Sequence, residues 1–232
     1  MRVLHTPDEV AAANPDPIVR WAAQSLLPGG GGAAWAHGGA VAVHAPALNR
    51  HDRLVLAGPT DDIATLLDTL HRPGLEPMVT TETAAALPQY PARGTFGWME
   101  RTGTLAAPDG VRWLREDEWD DVESLLRKAS PHSYVWPHER GPRRWAGIHV
   151  DDCLVAVAAE AWSAPGIGFL AGVATHPDHR GRGLSTRICA YVACALLAEH
   201  GECALMVDGA NAPAIRVYER LGFTYRSVTA LK

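Results

Sequence analysis

The chain has 232 residues and only four cysteines, Cys153, Cys189, Cys194 and Cys203. No two form a C-x-x-C pair and all four sit in apolar stretches, which argues against a disulfide framework and predicts small buried thiols. The eleven histidines are scattered, so no metal site is expected. No run approaches the roughly 18 consecutive apolar residues of a membrane helix. The opening Met1-Arg2-Val3-Leu4-His5-Thr6-Pro7-Asp8 has no apolar signal core. A cytoplasmic protein without a membrane partner is the expectation. Excess basic charge is lacking too. Residues 1–110 hold 7 Lys+Arg against 11 Asp+Glu, and the remainder 14 against 15, so no nucleic-acid surface is indicated. With 47% hydrophobic residues and a net charge of only -5, the chain is not disordered. At roughly 150 residues per domain, it is one large domain or two small ones.

Pattern weakens between about Pro88 and Gly110, where Pro91, Gly94, Gly97, Gly103 and Pro108 punctuate the chain. Only Phe96 to Glu100 reads as a strand there. A boundary near residue 105 is therefore expected, with a small α/β accessory domain over 1–105 and a second domain over 106–232. In the first, Asp8 to Leu27 reads as largely helical, broken at Pro15 and Pro17. Ala33 to His44 and Arg53 to Leu56 read as strands. Asp61 to Leu70 reads as a helix capped by Thr60 or Asp61. The run Gly29 to Gly32 follows a helix and leads into a strand, so it reads as a connector rather than a phosphate loop.

The second part is better patterned. Val111 to Arg115 reads as a strand. Asp117 can cap a helix carrying Trp119, Val122, Leu125, Leu126 and Ala129 on one face. A loop rich in Pro, His and aromatics follows, Ser130 to Pro142. Arg144 to Val150 and Leu154 to Trp162 read as a hairpin around Asp151-Asp152, and Ile167 to Thr175 as another strand. Leu184, Ile188, Tyr191, Val192, Ala195 and Leu196 recur at helical spacing up to Gly201. Ala204 to Asp208 is a strand, Pro213 to Leu221 a helix with Gly222 at its end, and Tyr225 to Leu231 a last strand. The order is β-α-β-β-β-α-β-α-β.

Chemistry concentrates in Val173-Ala174-Thr175-His176-Pro177-Asp178-His179-Arg180-Gly181-Arg182-Gly183-Leu184-Ser185. A strand runs through a basic, glycine-containing loop into a long helix. The first N–H groups of that helix lack internal partners and, with the helix dipole, can hold an anion. Gly181 and Gly183 let backbone approach it, while Arg180, Arg182 and Arg187 add charge. A pyrophosphate suits such a site. No lysine serves the Walker pattern, and Thr186 stands where the dinucleotide fingerprint needs a third glycine.

A second motif runs from Asn211 to Phe223. Together the two resemble the GNAT superfamily of acetyl-CoA-dependent N-acetyltransferases over residues 111–232. Arg180, Gly183 and Ser185 occupy the Gln/Arg-x-x-Gly-x-Gly/Ala signature. Asn211, Ala214, Tyr218, Gly222 and Phe223 match Asn-x-x-Ala-x-x-x-Tyr-x-x-x-Gly-Phe. Ser185 departs from the usual Gly or Ala, and Thr175 from the common Val. Strand Ile167–Thr175 lacks the glutamate many members carry there. The first part matches no motif of the family. It is either a degenerate second copy or an unrelated accessory domain, and shaping the acceptor pocket, homodimerisation and support of the fold are all open to it.

The resemblance implies a mixed, mostly antiparallel sheet flanked by helices. Two parallel strands, Ile167–Thr175 and Ala204–Asp208, splay to admit pantetheine along Val173 and Thr175, with pyrophosphate on Gly181, Arg182, Gly183, Leu184 and Ser185 and Asn211 nearby. It implies direct attack of an amine on the thioester of acetyl-CoA. Tyr218 is the candidate acid for the leaving thiolate. An alkylammonium must first lose a proton. Glu160, in an otherwise apolar strand, is one candidate base if burial raises its pKa, Asp208 at a strand end another, and water relayed to carbonyls a third. Tyr134 and Trp136 are candidates to hold the acceptor's cation by a ring face. Arg143 and Arg144 read as a solvated strand edge. The expected activity is N-acetylation of a small primary amine, with a peptide amine as the second choice of acceptor. A non-catalytic acyl-CoA-binding module and a transferase of longer acyl chains are the alternatives.

Overall fold

The structure, a computed structural model, describes residues 1–232. Its contacts divide the chain into two compact units. The first comprises Met1–Trp98, Asp208–Ala210 and Arg226–Lys232; the second comprises Met99–Val207 and Asn211–Tyr225.

The first unit starts with β1 (Arg2–Leu4), α1 (Pro7–Ala13) and α2 (Pro17–Ala22), the last running on into a 3-10 turn, Ala23–Leu26. The two helices are separate because Asn14 is extended and Asp16 caps α2, accepting the Ile18 N–H at 2.9 Å ahead of Pro17 at the first helical position. The glycine run 29–32 is a connector. β2 (Ala33–His37) and β3 (Ala40–Leu48) follow, then β4 (His51–Ala57), α3 (Thr60–Leu70), β5 (Glu76–Thr80), α4 (Thr81–Ala86) and β6 (Ala92–Thr102), which carries the chain into the second unit. The expected single strand from Ala33 to His44 is a hairpin, folded at Gly38-Gly39 with Gly38 at φ +53°. The helix expected to be capped by Thr60 or Asp61 begins on Pro59 without a side-chain cap. β5, with Pro77 inside it, and α4 escaped the sequence reading. β6 extends well beyond the expected Phe96–Glu100; its first residues are exposed and show no apolar alternation, so the pattern does not reveal them. In this unit the strands order β1-β2-β3-β4-β5-β12, where β12 (Thr224–Leu231) is the last strand of the chain. Only β4 and β5 are parallel, joined by α3. Leu54, Leu56, Ile63, Leu66, Leu67 and Val79 form its core.

The second unit holds β7 (Arg112–Trp113), α5 (Trp119–Ala129), β8 (Pro142–Val150), β9 (Cys153–Ala161), β10 (Gly168–Thr175), α6 (Leu184–His200), β11 (Glu202–Asp208) and α7 (Ala212–Arg220), with strand order β11-β10-β9-β8-β7. A large, mostly antiparallel sheet flanked by helices results, as expected. β7 is shorter than the strand read from Val111 to Arg115. Asp117 does not cap α5. It pairs with Arg115 at 2.9 Å, while Glu118 accepts the Arg115 N–H. The β8–β9 hairpin turns at Asp151 and Asp152, both left-handed, which Asp tolerates. Side chains of β9 alternate between the sheet faces. Ala156 and Ala158 pack with Ile188, Val192 and Leu196 of α6, and Val157 and Ala159 with Trp145, Val122 and Leu126. Cys189 and Cys203 are buried as expected, but Cys194 is half-buried and Cys153, at the hairpin turn, is exposed. No helix is long and apolar enough to cross a membrane.

Candidate active site

The centre of the second unit is a disturbance in its sheet. β10 pairs with β9 at Leu170↔Glu160 and Ala171↔Ala159, and resumes at Ala174↔Val157. Gly172 and Val173 fall in the gap and form a bulge. Gly172 has φ +63°, and a Cβ there would stand 2.5 Å from Cη2 of Trp145. Only glycine fits, both for the left-handed backbone and for the close approach of the indole. The sequence reading did not single out this residue, although a glycine inside a strand pattern is a bulge signal.

On its other side β10 runs parallel to β11, but the register holds only at Gly168↔Cys203 and Phe169↔Ala204. From Leu170 onward the two strands have no register partners. Pairing of the two strands thus stops after Phe169↔Ala204, and the bulge lies along the unpaired stretch of β10.

β10 then delivers the chain to the basic loop. His176 accepts the Asp178 N–H, and Pro177–His179 make a 3-10 turn. Gly181 and Gly183 both have φ +75°, and a Cβ on either would meet nothing within 4 Å. Their conformation demands glycine, while the space before them is open. Gly183 is the N-cap of α6, so no side chain caps the helix, and no acidic residue stands in its first turn. The leading N–H groups of a 17-residue helix are thus offered outward. Thr175 and Ser185 hydroxyls bond at 3.0 Å and tie the strand end to the first turn of α6. The arginines hold the loop in shape. Arg180 donates to the carbonyls of Thr175 (3.3 Å) and Ala129 (3.1 Å), Arg182 to that of Asp178 and Arg187 to that of Asp109. Their donors thereby brace backbone on both sides of the loop.

The remaining candidates are placed as follows. Val173 is half-buried in the bulge, and Leu184 is buried at the start of α6. Asn211 caps α7, accepting the Ala214 N–H at 3.2 Å. Tyr218 of α7 is buried, its ring centroid 6.0 Å from that of Phe223. Burial pushes its hydroxyl well above the ordinary value of 10 and keeps it protonated. Asp208 is exposed at the end of β11 and accepts the Ala210 N–H at 2.9 Å, closing its own turn. Tyr134 is 61% exposed. Trp136 donates its indole N–H to the Ser133 carbonyl, and the cation over its ring, at 5.4 Å, is the chain's own Arg127. That ring face is therefore already engaged.

Glu160 requires a correction. It is fully buried, on the α6 face of β9, beside Glu199 and His200 at the far end of α6 from Gly183. Arg144 Nε donates to it at 2.7 Å and Arg143 Nη1 at 3.2 Å. Burial alone would raise its pKa, but the Arg144 charge, a Ser163 hydrogen bond and Arg143 outweigh it, and the carboxyl sits below its ordinary 4.5. The raised pKa expected from its apolar strand is absent. Arg144 is likewise no solvated edge residue, since its guanidinium lies 4.0 Å over the Trp113 ring. Glu160, Glu199 and His200 bring ligand atoms within 4.8 Å of one another, yet the charges facing the carboxylates are these two guanidinium groups.

Comparison with known proteins gives the class. A GNAT-family protein of Novosphingobium aromaticivorans matches at 24% identity and TM-score 0.52, covering 84% of this chain and 88% of that one. A GCN5-related N-acetyltransferase of Kribbella flavida matches at 22% and 0.57, covering 85% and 88%. One from Sphaerobacter thermophilus matches at 18% and 0.54, covering 83% and 79%. The chain has the fold of the GNAT acetyltransferases. Within it, residues 146–231 match the family model of FR47-like proteins, a GNAT-related domain. No curated protein matches the chain significantly.

Proposed function

We propose that the second unit moves an acetyl group from acetyl-CoA to the primary amine of a small molecule, by direct attack in a ternary complex. The observation that carries this reading is the junction of a bulged β10, unpaired with β11 beyond Phe169, with the uncapped, glycine-opened start of α6. The unpaired stretch leaves main-chain groups of Gly172 to Thr175 for the pantetheine amides. The N–H groups following Gly181 and Gly183 and the charges of Arg180 and Arg182 face the pyrophosphate. Acetyl-CoA supplies the activated acyl group.

In this reading Tyr218 keeps its proton at neutral pH and donates a hydrogen bond to the departing thiolate; the proton the thiolate takes up through the phenol is replaced from the attacking nitrogen as the amide forms, so the tyrosine ends protonated. The ammonium proton leaves through water on main-chain carbonyls, because Glu160 is committed to arginines and Asp208 to its own turn. Tyr134, exposed in the loop before β8, remains the aromatic candidate for the acceptor's cation. Use of acetyl-CoA fits a cytoplasmic protein.

That neither candidate carboxylate is free favours a second reading, a module that binds acyl-CoA without turning it over. Titration calorimetry with acetyl-CoA, followed by thiol release with a panel of polyamines, aminoglycosides and amino acids, separates the two. Micromolar binding with amine-dependent thiol release supports the transferase. Binding without release for any amine supports the module, and absence of binding overturns both.

A further inference from the structure

Read element by element, the first unit repeats the second. Both begin with a short edge strand antiparallel to the next, β1 on β2 and β7 on β8. Helix follows, α1 and α2 in one, α5 in the other. An antiparallel meander comes next, β2-β3-β4 and β8-β9-β10. A helix, α3 or α6, then crosses to a strand parallel to the last of the meander, β5 beside β4 and β11 beside β10. A further helix, α4 or α7, and a long strand close each series. Two unrelated domains need not share nine steps in one order with the same parallel pair.

The two copies differ where the cofactor is proposed to bind. From β10 to α6 the chain spends the eight residues 176–183; from β4 to α3 it spends two, Gly58 and Pro59. Gly183 faces open space, but a Cβ on Gly58 would stand 2.5 Å from the Ala40 Cα, so this turn is packed against β3. Pro59 has no N–H to offer. Asp61 and Asp62 stand in the first turn of α3, and Asp62 accepts the Gly39 N–H at 2.9 Å. Their carboxylates occupy the end of the helix that an anion would need. β4 also pairs with β3 without interruption from Arg53 to Ala57; the irregularity of this pair lies on β3, between Ala45 and Leu48 next to the hairpin turn, so β4 has no bulge before its helix as β10 has. α4, Thr81-Glu82-Thr83-Ala84-Ala85-Ala86, has no tyrosine.

We infer that the first unit is a second copy of the acyltransferase fold, closed at the cofactor position, so that the chain binds one acyl-CoA and the first unit acts as a scaffold for the C-terminal strand. The inference rests on the reading given under Proposed function. The strand beside β5 is β12, paired at Val228↔Thr80, Thr229↔Val79 and Ala230↔Met78. A row of hydroxyls secures it, Thr81 to Ser227 (2.8 Å) and to Thr229 (2.9 Å), and Thr229 to Thr95 (3.2 Å). Arg226 adds an ion pair to Asp16. β12 follows α7 directly, so the scaffold holds the end of the chain segment that carries Tyr218.

The experiment is titration calorimetry of the full chain with acetyl-CoA, paired with amide hydrogen exchange read by mass spectrometry. One molecule bound per chain, with added protection over residues 181–187 and none over 58–63, is the expected result. Gly183→Asp, with a melting temperature lowered by only a few degrees for its left-handed backbone, is expected to abolish binding altogether. Two molecules per chain, protection over 58–63, or a residual site in Gly183→Asp would overturn the inference and leave the functional reading standing. No binding by the native chain would overturn both.

Discussion

Glu160 and Arg144 face each other across the β8–β9 pair, with the carboxylate Oε2 at 2.7 Å from Nε. Glu160 is wholly buried, whereas Arg144 is 24% exposed and also reaches Glu199 at 2.5 Å. The two partners are therefore not equivalent. Arg144→Ala leaves a buried carboxylate short of its main partner and is expected to cost about 3 kcal/mol. Glu160→Gln leaves arginines that can turn to water and to Glu199, and is expected to cost about half as much. Chemical denaturation measures both. Thiol release by Glu160→Gln within a few-fold of the native rate is also expected; a large loss would restore Glu160 as a base.

The same residue sets a pH dependence. Its folded pKa lies below the unfolded value near 4.5. The unfolded chain therefore takes up the proton first as pH falls. The stability Glu160 contributes is fully present above about pH 5 and is lost as pH drops through its folded pKa. Melting temperatures of the native protein and Glu160→Gln are expected to differ by a constant amount from pH 7 to 5 and to converge below pH 4.5. Convergence on the alkaline side would contradict the sign.

Tyr218→Phe removes one hydroxyl from a buried ring. Thiol release is expected to fall by roughly 100-fold, the usual scale for a general acid, with acetyl-CoA affinity unchanged. Unaltered turnover would remove Tyr218 from the chemistry.

Two glycines with nearly the same φ should respond differently. Gly183→Ala pays only the left-handed backbone, about 1 kcal/mol, because space is open around it. Gly172→Ala adds a methyl group driven against Trp145, and is expected to cost about 3 kcal/mol through overpacking as well. Equal melting temperatures for the two variants would show that Trp145 yields freely.

Arg226 and Asp16 are separated by 210 residues and hydrogen-bonded at 2.7 Å. Asp16 also caps α2. Asp16→Asn keeps a cap but removes the charge. Faster amide exchange over residues 226–231, with α2 unchanged, is the expected outcome, and unchanged exchange throughout would show that the strand pairing alone suffices.

Much of the second unit was legible in advance because its signals are local. The period of Leu184, Ile188, Val192 and Leu196 defines α6, and a left-handed glycine ends it at Gly201 with φ +83°. The basic loop between a strand and that helix pointed to an anion by the same local logic. The first unit was harder to read. Pro77 masks β5, Gly38-Gly39 hides a turn inside an apolar stretch, and the exposed start of β6 carries no alternation.

By itself, then, the order of residues determined where α6 and α7 lie, that Gly201 and Gly222 end them in left-handed backbone, and that a glycine-opened helix start follows a strand. Those properties depend on neighbours within a turn or two. Only the tertiary structure decided that Glu160 meets Arg143, Arg144 and His200, that Gly172 sits under Trp145, and that the last strand pairs with β5. A residue type records how much its side chain favours burial or charge. Which charge it meets, and hence which way its pKa moves, is set by segments that come together only when the sheets form.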